Sequence, residues 1–192
     1  MSIGRDYFER LYTEKPDPWA FDSSDYERRK YDATLDAVGE GHRNALEIGC
    51  SIGVFTRRLA EKCQALMAVD IAETALDAAR RRCAGIRHVT FRRMQLPDEL
   101  PAGRFDLILL SEVGYYWSLP DLDRFLGWVQ GALRPDGRFV LVHWTGETNY
   151  PLTGDQVHDH VATQTGDRLR SIKTATTDRY RLDVLQSNAA AE

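Results

Sequence analysis

The chain has 192 residues with 43% hydrophobic and 28% charged side chains, which suits one domain with a substantial core and excludes a fibrous repeat or long disorder. Its formal net charge of −4 is spread over interspersed acids and bases, so the basic stripe of a nucleic-acid partner is missing. No apolar run approaches the roughly 20 residues that span a bilayer, and "MSIGRDYFER" has no apolar signal core, so no membrane partner and a cytoplasmic protein are expected.

Residues 25–38, "DYERRKYDATLDAV", carry Tyr26, Lys30, Ala33, Leu35 and Val38 at helical spacing, and Gly39 and Gly41 stop the helix. "NALEIG" at 44–49 reads as a short strand, 54–63 as a helix through Val54, Leu59 and Ala60, and "ALMAVD" at 65–70 as a second buried strand. The alanine-rich 72–83 is helical, and its "RRRC" end at 80–83 suits the negative end of the helix dipole. "HVTFRRM" follows as a strand, Pro97 and Pro101 mark a loop, and "FDLILLS" at 105–111 is a fourth apolar strand. A helix over "PDLDRFLGWVQGAL" has Pro120 in its first turn, and "PDG" then turns the chain into a fifth strand, "RFVLVHW". A shorter helix near 154–165 precedes "RLRSIKTAT" and "YRLDVLQS", read as antiparallel strands joined at "TTD", and "NAAAE" at 188–192 reads as a frayed tail. Cys50, Cys63 and Cys83 are odd in number and lack C-x-x-C spacing, so packed thiols are expected rather than a disulfide framework or a metal site.

Near-continuous apolar strands alternating with helices predict a parallel sheet covered on both faces. The expected fold is α/β, a doubly wound, mostly parallel sheet in a single domain with an antiparallel C-terminal hairpin. Within it, residues 1–40 form a helical cap over the site and 41–187 the core. Ligands of such sheets sit beyond the carboxyl ends of the strands, which singles out 47–53, 70–71, 94–95, 111–117 and 143–150.

The stretch "ALEIGCSIGVFT" at 45–56 contains Gly49, Ser51 and Gly53 as G-x-S-x-G, either a nucleophile elbow or a turn that cradles a cofactor. An elbow sits on a central strand with an oxyanion loop from an earlier one. Here the turn follows the first strand, and the 44 residues before it hold no H-G-G-G-like stretch. Asp70, Asp106 or Asp121 followed by His143 or His158 would nevertheless complete a Ser, acid, His order, so a serine esterase using Ser51 stays as an alternative. The nicotinamide fingerprint G-x-G-x-x-G is absent, leaving no pyrophosphate site. Glu47 before the turn and Asp70 at the end of the second strand suit a cofactor with an adenosine and a cationic, amino-acid-like end.

"LEIGCSIGVFTRRLA", "LMAVDIAETALDAAR", "FDLILLSEVGYYW" and "LRPDGRFVLVHW" resemble, in order, the motifs of class I S-adenosylmethionine-dependent methyltransferases. With "DPWAFDSSDYERRKYDATLDAV", "SEVGYY" and "NYPLTGDQVH" added, residues from about 16 to 160 resemble the nodulation protein S family, which N-methylates the free amine of a deacetylated chitin oligosaccharide. The resemblance implies that Gly49 and Gly53, with Cys50 and Ser51 between them, let the methionine part of the cofactor lie against the backbone. Glu47 would orient that loop and offset the ammonium, Asp70 would accept the ribose hydroxyls, and Ile71 and Met94 would lie near the adenine, with Gln95 accepting from its amine. The Ser111 carbonyl would hold the ammonium. Trp19, Tyr26 and Lys30 would close over the cofactor, with Lys30 pairing its carboxylate and Arg28 and Arg29 as equal alternatives. Tyr115, Tyr116, Trp117 and Trp144 would form a sugar-stacking wall, and Glu112 and His143 would collect the amine proton; no metal is required. An O- or S-methyltransferase of a small natural product, or a cofactor-binding module without activity, would keep the same cofactor residues.

Overall fold

The computed structural model describes residues 1–166 and 168–188. Seven strands form one sheet in the order β3-β2-β1-β4-β5-β7-β6. They are β1 (Ala45–Ile48), β2 (Leu66–Asp70), β3 (Val89–Arg93), β4 (Phe105–Ser111), β5 (Leu133–Trp144), β6 (Leu169–Thr176) and β7 (Tyr180–Ser187). The pairings from β3 through β5 are parallel, whereas β7 runs antiparallel to both β5 and β6. The chain travels outward from β1 to β3 and then returns to lay β4 beside β1. That reversal leaves a crevice between β1 and β4 at their carboxyl ends.

Strand alternation divides the core into two faces. Leu46, Ile48, Ile108, Leu110, Phe139 and Leu141 pack against helices α1 (Arg5–Glu14), α5 (Leu119–Ala132) and α6 (Gly154–Thr165). Ala45, Leu107, Leu109, Val140 and Val142 pack against α2 (Asp25–Val38) and α3 (Val54–Leu59). Helix α4 (Glu73–Arg82) sets Leu76 against Ala68 of β2. Because Leu107 through Leu110 are all fully buried, β4 is a central strand covered on both sides.

Capping explains where several helices begin and end. The Ser24 hydroxyl accepts the Glu27 N–H at the start of α2, and Gly39 at φ +83° stops it. Thr153 and Gln156 form a reciprocal capping box at the start of α6. The basic end of α4 does more than suit the dipole. Arg82 Nε donates to the Ile52 carbonyl at 3.0 Å and its guanidinium pairs with Asp22 at 2.9 Å, tying that end of the helix to the cavity turn and the segment before α2.

Three elements depart from the sequence expectation. The helix expected over 54–63 is α-helical only to Leu59 and then tightens into a 3₁₀ turn, Ala60–Lys62. The "PDG" turn is absorbed into β5: Leu133 already pairs with Phe105, and the register shift to Leu107 opposite Arg138 leaves 134–137 as a bulge, with Asp136 at φ +60°. The helical cap contains a separate helix, α1, whose buried Phe8 and Tyr12 lie four residues apart. Of the expected tail, Asn188 donates its N–H to the Arg168 carbonyl at 3.1 Å, and 189–192 lie outside the described residues. Cys50 and Cys83 are buried, Cys63 is half-buried, and all three are free thiols. Among the described residues no helix is long and apolar enough to cross a membrane.

Candidate active site

A cavity of about 450 Å³ lies over the crevice, floored by the ends of β1, β2 and β4 and roofed by α1, α2 and the segment between them. The turn after β1 forms one side of it. Gly49 sits at φ +81°, and a Cβ there would lie 2.3 Å from Val113 Cγ2 and 2.9 Å from the Ser111 carbonyl oxygen, so only hydrogen fits. Ser51 follows at φ +49°; its N–H donates to Asp70 Oδ2 at 2.8 Å and its hydroxyl accepts from Tyr12 at 2.6 Å. Asp70 Oδ1 accepts the Ala72 N–H at 3.0 Å. Burial pushes the Asp70 carboxyl up to about 6 although backbone N–H groups from Ala72, Ser51 and Ile71 oppose the rise. Asp70 therefore ties the first turn to the second strand while still facing the cavity.

The bonding of Ser51 decides between a nucleophile and a wall. Its hydroxyl meets a tyrosine, whereas His143 and His158 bond to each other and His158 to Asp183. The histidine needed to take a serine proton is engaged elsewhere.

A polar corner closes the α2 end of the cavity. Lys30 is 2% exposed, and its Nζ lies 3.0 Å from Glu27 Oε1 and 2.5 Å from Glu112 Oε1. Burial would lower the Lys30 pKa, but the Glu112 and Glu27 carboxylates outweigh it and raise it. Glu112 occupies left-handed backbone at φ +56°, and its Oε2 accepts from the Tyr115 hydroxyl at 2.7 Å and the Trp144 N–H at 2.9 Å. Tyr26 joins the corner edge-on to Trp144 with ring centroids 5.7 Å apart, and the Arg179 guanidinium lies over the Tyr26 ring, 5.4 Å from its centroid. Tyr26 and Thr148 line the cavity, and their buried hydroxyls have no hydrogen-bond partner among the described residues.

Aromatic side chains form the remaining wall. Tyr115, Tyr116 and Trp117 line the cavity although each is buried. Tyr150 stacks on Tyr115 at 5.2 Å, Phe8 meets Tyr116 edge-on at 4.8 Å, and Trp117 packs on Phe125 of α5. Packing and cavity lining are thus two faces of the same rings.

The structure also brings Trp19, Ile71, Met94 and Ser111 to the cavity, and of the three basic candidates on α2 only Lys30 reaches it. Arg28 is exposed and pairs with Asp25, and Arg29 is exposed. Five expected residues lie elsewhere. Gly53 does not line the cavity; a Cβ there would sit 2.9 Å from Ala79 Cα, so its glycine serves the packing of α4. Glu47 and Cys50 border a smaller hollow of about 30 Å³ behind the turn. Burial pushes the Glu47 carboxyl up to about 8, and its Oε2 has no hydrogen-bond partner among the described residues. Gln95 turns its side chain to Asp98 at 3.1 Å, leaving Met94 and Leu96 as the contribution of that segment.

His143 is the main correction. It is fully buried, does not line the cavity, and uses both ring nitrogens within the protein. Burial first, then the neighbouring His158 and Lys30, push its pKa well below the ordinary value, so it stays neutral. Cavity residues outside the stretches singled out from the sequence include Phe8, Tyr12, Leu96 and Arg179, whereas Val113, Thr148 and Tyr150 fall within 111–117 and 143–150. The four-residue spacing of Phe8 and Tyr12 could have revealed α1, but nothing local marks Arg179, which arrives from the β6–β7 turn.

Strand order, the glycine turn at the switch point and the acid ending β2 together define the class I methyltransferase fold. The chain matches the family described as Nodulation protein S (NodS) over residues 5–147, and it belongs to that family. It is 33% identical to Nodulation protein S of Rhizobium tropici over 128 residues, 65% of this chain and 54% of that one. It spans about half the length of the curated relatives it matches. The N-methyltransferase NodS from Bradyrhizobium japonicum WM9, solved with S-adenosyl-L-homocysteine, superposes with TM-score 0.83 at 22% identity over 95% of this chain and 97% of that one, which shows the shared fold. A Pseudomonas syringae structure superposes with TM-score 0.72 at 34% identity, covering 84% of this chain and 98% of that one.

Proposed function

We propose that the protein transfers a methyl group from S-adenosylmethionine to the free amine of a deacetylated chitooligosaccharide or a similar amino sugar. The observation that carries this reading is the single cavity at the carboxyl ends of β1, β2 and β4, lined together by the Gly49–Ser51 turn, the Ser111 end of β4 and the buried Asp70 carboxylate. These residues fit the cofactor: Gly49 and the Ser111 carbonyl for its amino-acid end, Asp70 for the ribose, and Ile71, Met94 and Leu96 as an apolar bed for the adenine. When bound, the cofactor supplies an electrophilic methyl group on a sulfonium.

The protein's part is alignment and the exclusion of water, which together can supply most of the acceleration of such a transfer. Glu112 accepts three hydrogen bonds, from Lys30, Tyr115 and Trp144. A carboxylate offers about four acceptor directions, so one remains to hold an amine N–H. The unpartnered Tyr26 hydroxyl and Thr148 Oγ1 can take up sugar hydroxyls beside the wall of Tyr115, Tyr116, Trp117 and Trp144. A cytoplasmic location and a lack of nucleic-acid partners belong to the same proposal, the latter supported by the acidic balance.

An O- or S-methyltransferase of a small natural product is the alternative that keeps the cofactor side unchanged. Incubation with methyl-labelled S-adenosylmethionine and a panel of amino sugars, phenols and thiols separates the two. Label in amino sugars alone supports the proposal, and label in phenols or thiols alone rejects it.

A further inference from the structure

We propose that His158 and Asp183 act, through His143, as positioning residues for the turn that carries Glu112 and the aromatic wall. A single hydrogen-bonded chain runs through the interior from β7 to that turn. The Gly114 N–H donates to His143 Nε2 at 3.0 Å, His143 Nδ1 lies 3.1 Å from His158 Nε2, and His158 Nδ1 lies 2.6 Å from Asp183 Oδ2. Both imidazoles are fully buried or nearly so, and Asp183 is 6% exposed.

The chain can be ordered in only one direction. A backbone N–H is always a donor, so His143 Nε2 carries no proton and its Nδ1–H must donate to His158. His158 Nε2 is then the acceptor, and its Nδ1–H donates to Asp183. Asp183 is the fixed end: burial would raise its pKa, but the His158 N–H and the Arg181 guanidinium at 3.1 Å outweigh that and lower it. The Gly114 N–H at one end and the Asp183 carboxylate at the other thus favour the same pair of tautomers, and a bare nitrogen faces Gly114.

Gly114 begins the short 3₁₀ turn Gly114–Tyr116, which directly follows Glu112 and Val113. The fit there is tight, since a Cβ on Gly114 would lie 3.0 Å from His143 Nε2 and 2.7 Å from Val157 Cγ1. Tyr115, whose hydroxyl bonds Glu112, packs its ring 5.3 Å from that of His143. If the chain is cut at His158, the buried His143 Nδ1–H is left without its acceptor, and the ring can turn to find another. Its Nε2 then leaves the Gly114 N–H, and the turn is free to move, carrying Tyr115 and Glu112 with it.

The kinetic consequence rests on the methyl-transfer reading, but the tautomers do not, and the two can fail separately. Two-bond proton–nitrogen spectra of ¹⁵N-histidine-labelled protein should show His143 and His158 both protonated at Nδ1. Either ring protonated at Nε2 overturns the proposal. His158→Gln can rebuild the chain, with its carbonyl accepting from His143 and its amide donating to Asp183, whereas His158→Leu cannot. Since small misplacements near reacting atoms are amplified in rate, His158→Leu should lower kcat about tenfold or more with cofactor affinity within about twofold, and His158→Gln should stay within about threefold of wild type. Wild-type kcat in a folded His158→Leu protein, or an equal loss in both folded variants, contradicts it. Should His158→Leu fail to fold, loss of the Nδ1 proton of His143 in His158→Gln contradicts it instead.

Discussion

Replacing Glu47 with glutamine should change how stability depends on pH, and the structure sets the size of the effect. Glu47 is 1% exposed on the face of β1 shared with Ala45, and its Oε2 has no hydrogen-bond partner among the described residues. Burial raises its pKa from 4.5 to about 8, with the Asp70 carboxylate adding to the rise and the Thr56 hydroxyl opposing it. The folded protein therefore keeps this proton at pH values where the unfolded chain has lost it. Stability from this group is fully present below the unfolded value, falls as pH rises through the interval, and does not fall further above the folded value. At about 1.4 kcal/mol per pH unit, an interval from 4.5 to about 8 sets a ceiling of about 5 kcal/mol. Water entering the hollow beside it eases ionisation, so we expect about 2 to 3 kcal/mol. Glutamine is a neutral isostere at every pH. In urea unfolding, Glu47→Gln should match wild type within about 1 kcal/mol at pH 5 and gain about 2 to 3 kcal/mol on it by pH 8.5. Parallel stability curves across that range would refute the reasoning.

Three further perturbations probe the cavity. Gly49→Ala adds a Cβ 2.3 Å from Val113 at φ +81° and should destabilise the fold by about 2 to 4 kcal/mol in urea unfolding; Val113→Ala in the same chain should recover part of it, and no recovery would mean that the backbone angle alone is responsible. Lys30→Met leaves Glu27 and Glu112 buried without their cation and should lower stability by about 3 to 5 kcal/mol at neutral pH; an unchanged urea midpoint would show that the cluster is open to solvent. Ser51→Gly should retain methyl transfer, because its N–H to Asp70 survives and only the bond from Tyr12 is lost. Loss of turnover in that variant with cofactor affinity intact would revive Ser51 as a chemical group.

The sheet was legible because its central strands β1, β2 and β4 are short, mostly apolar runs bounded by glycine, proline or charge, and the alternation of strands with helices leaves few topologies. The glycine turn was legible as well, since the strand that precedes it ends at a position where left-handed backbone is needed. Alternation within β5 explains the misreading of His143. Its place at the end of the strand points to the cavity, but the period of two sends it to the α6 face with Phe139 and Leu141. Gln95 was misplaced because Asp98, three residues on, captures its amide. The Lys30–Glu112 pair joins residues 82 apart, and no local pattern encodes such a contact. Helix α1 escaped because half of its ten residues are charged and only Phe8 and Tyr12 are buried.

Methyl transfer to a free amine is tested most directly with paired acceptors: a partly deacetylated chitooligosaccharide and its fully N-acetylated counterpart, each incubated with methyl-labelled S-adenosylmethionine and read by tandem mass spectrometry. Label on the nitrogen of the deacetylated sugar, with none in the acetylated one, is the predicted result. Label on a sugar oxygen, or equal label in both acceptors, would contradict it.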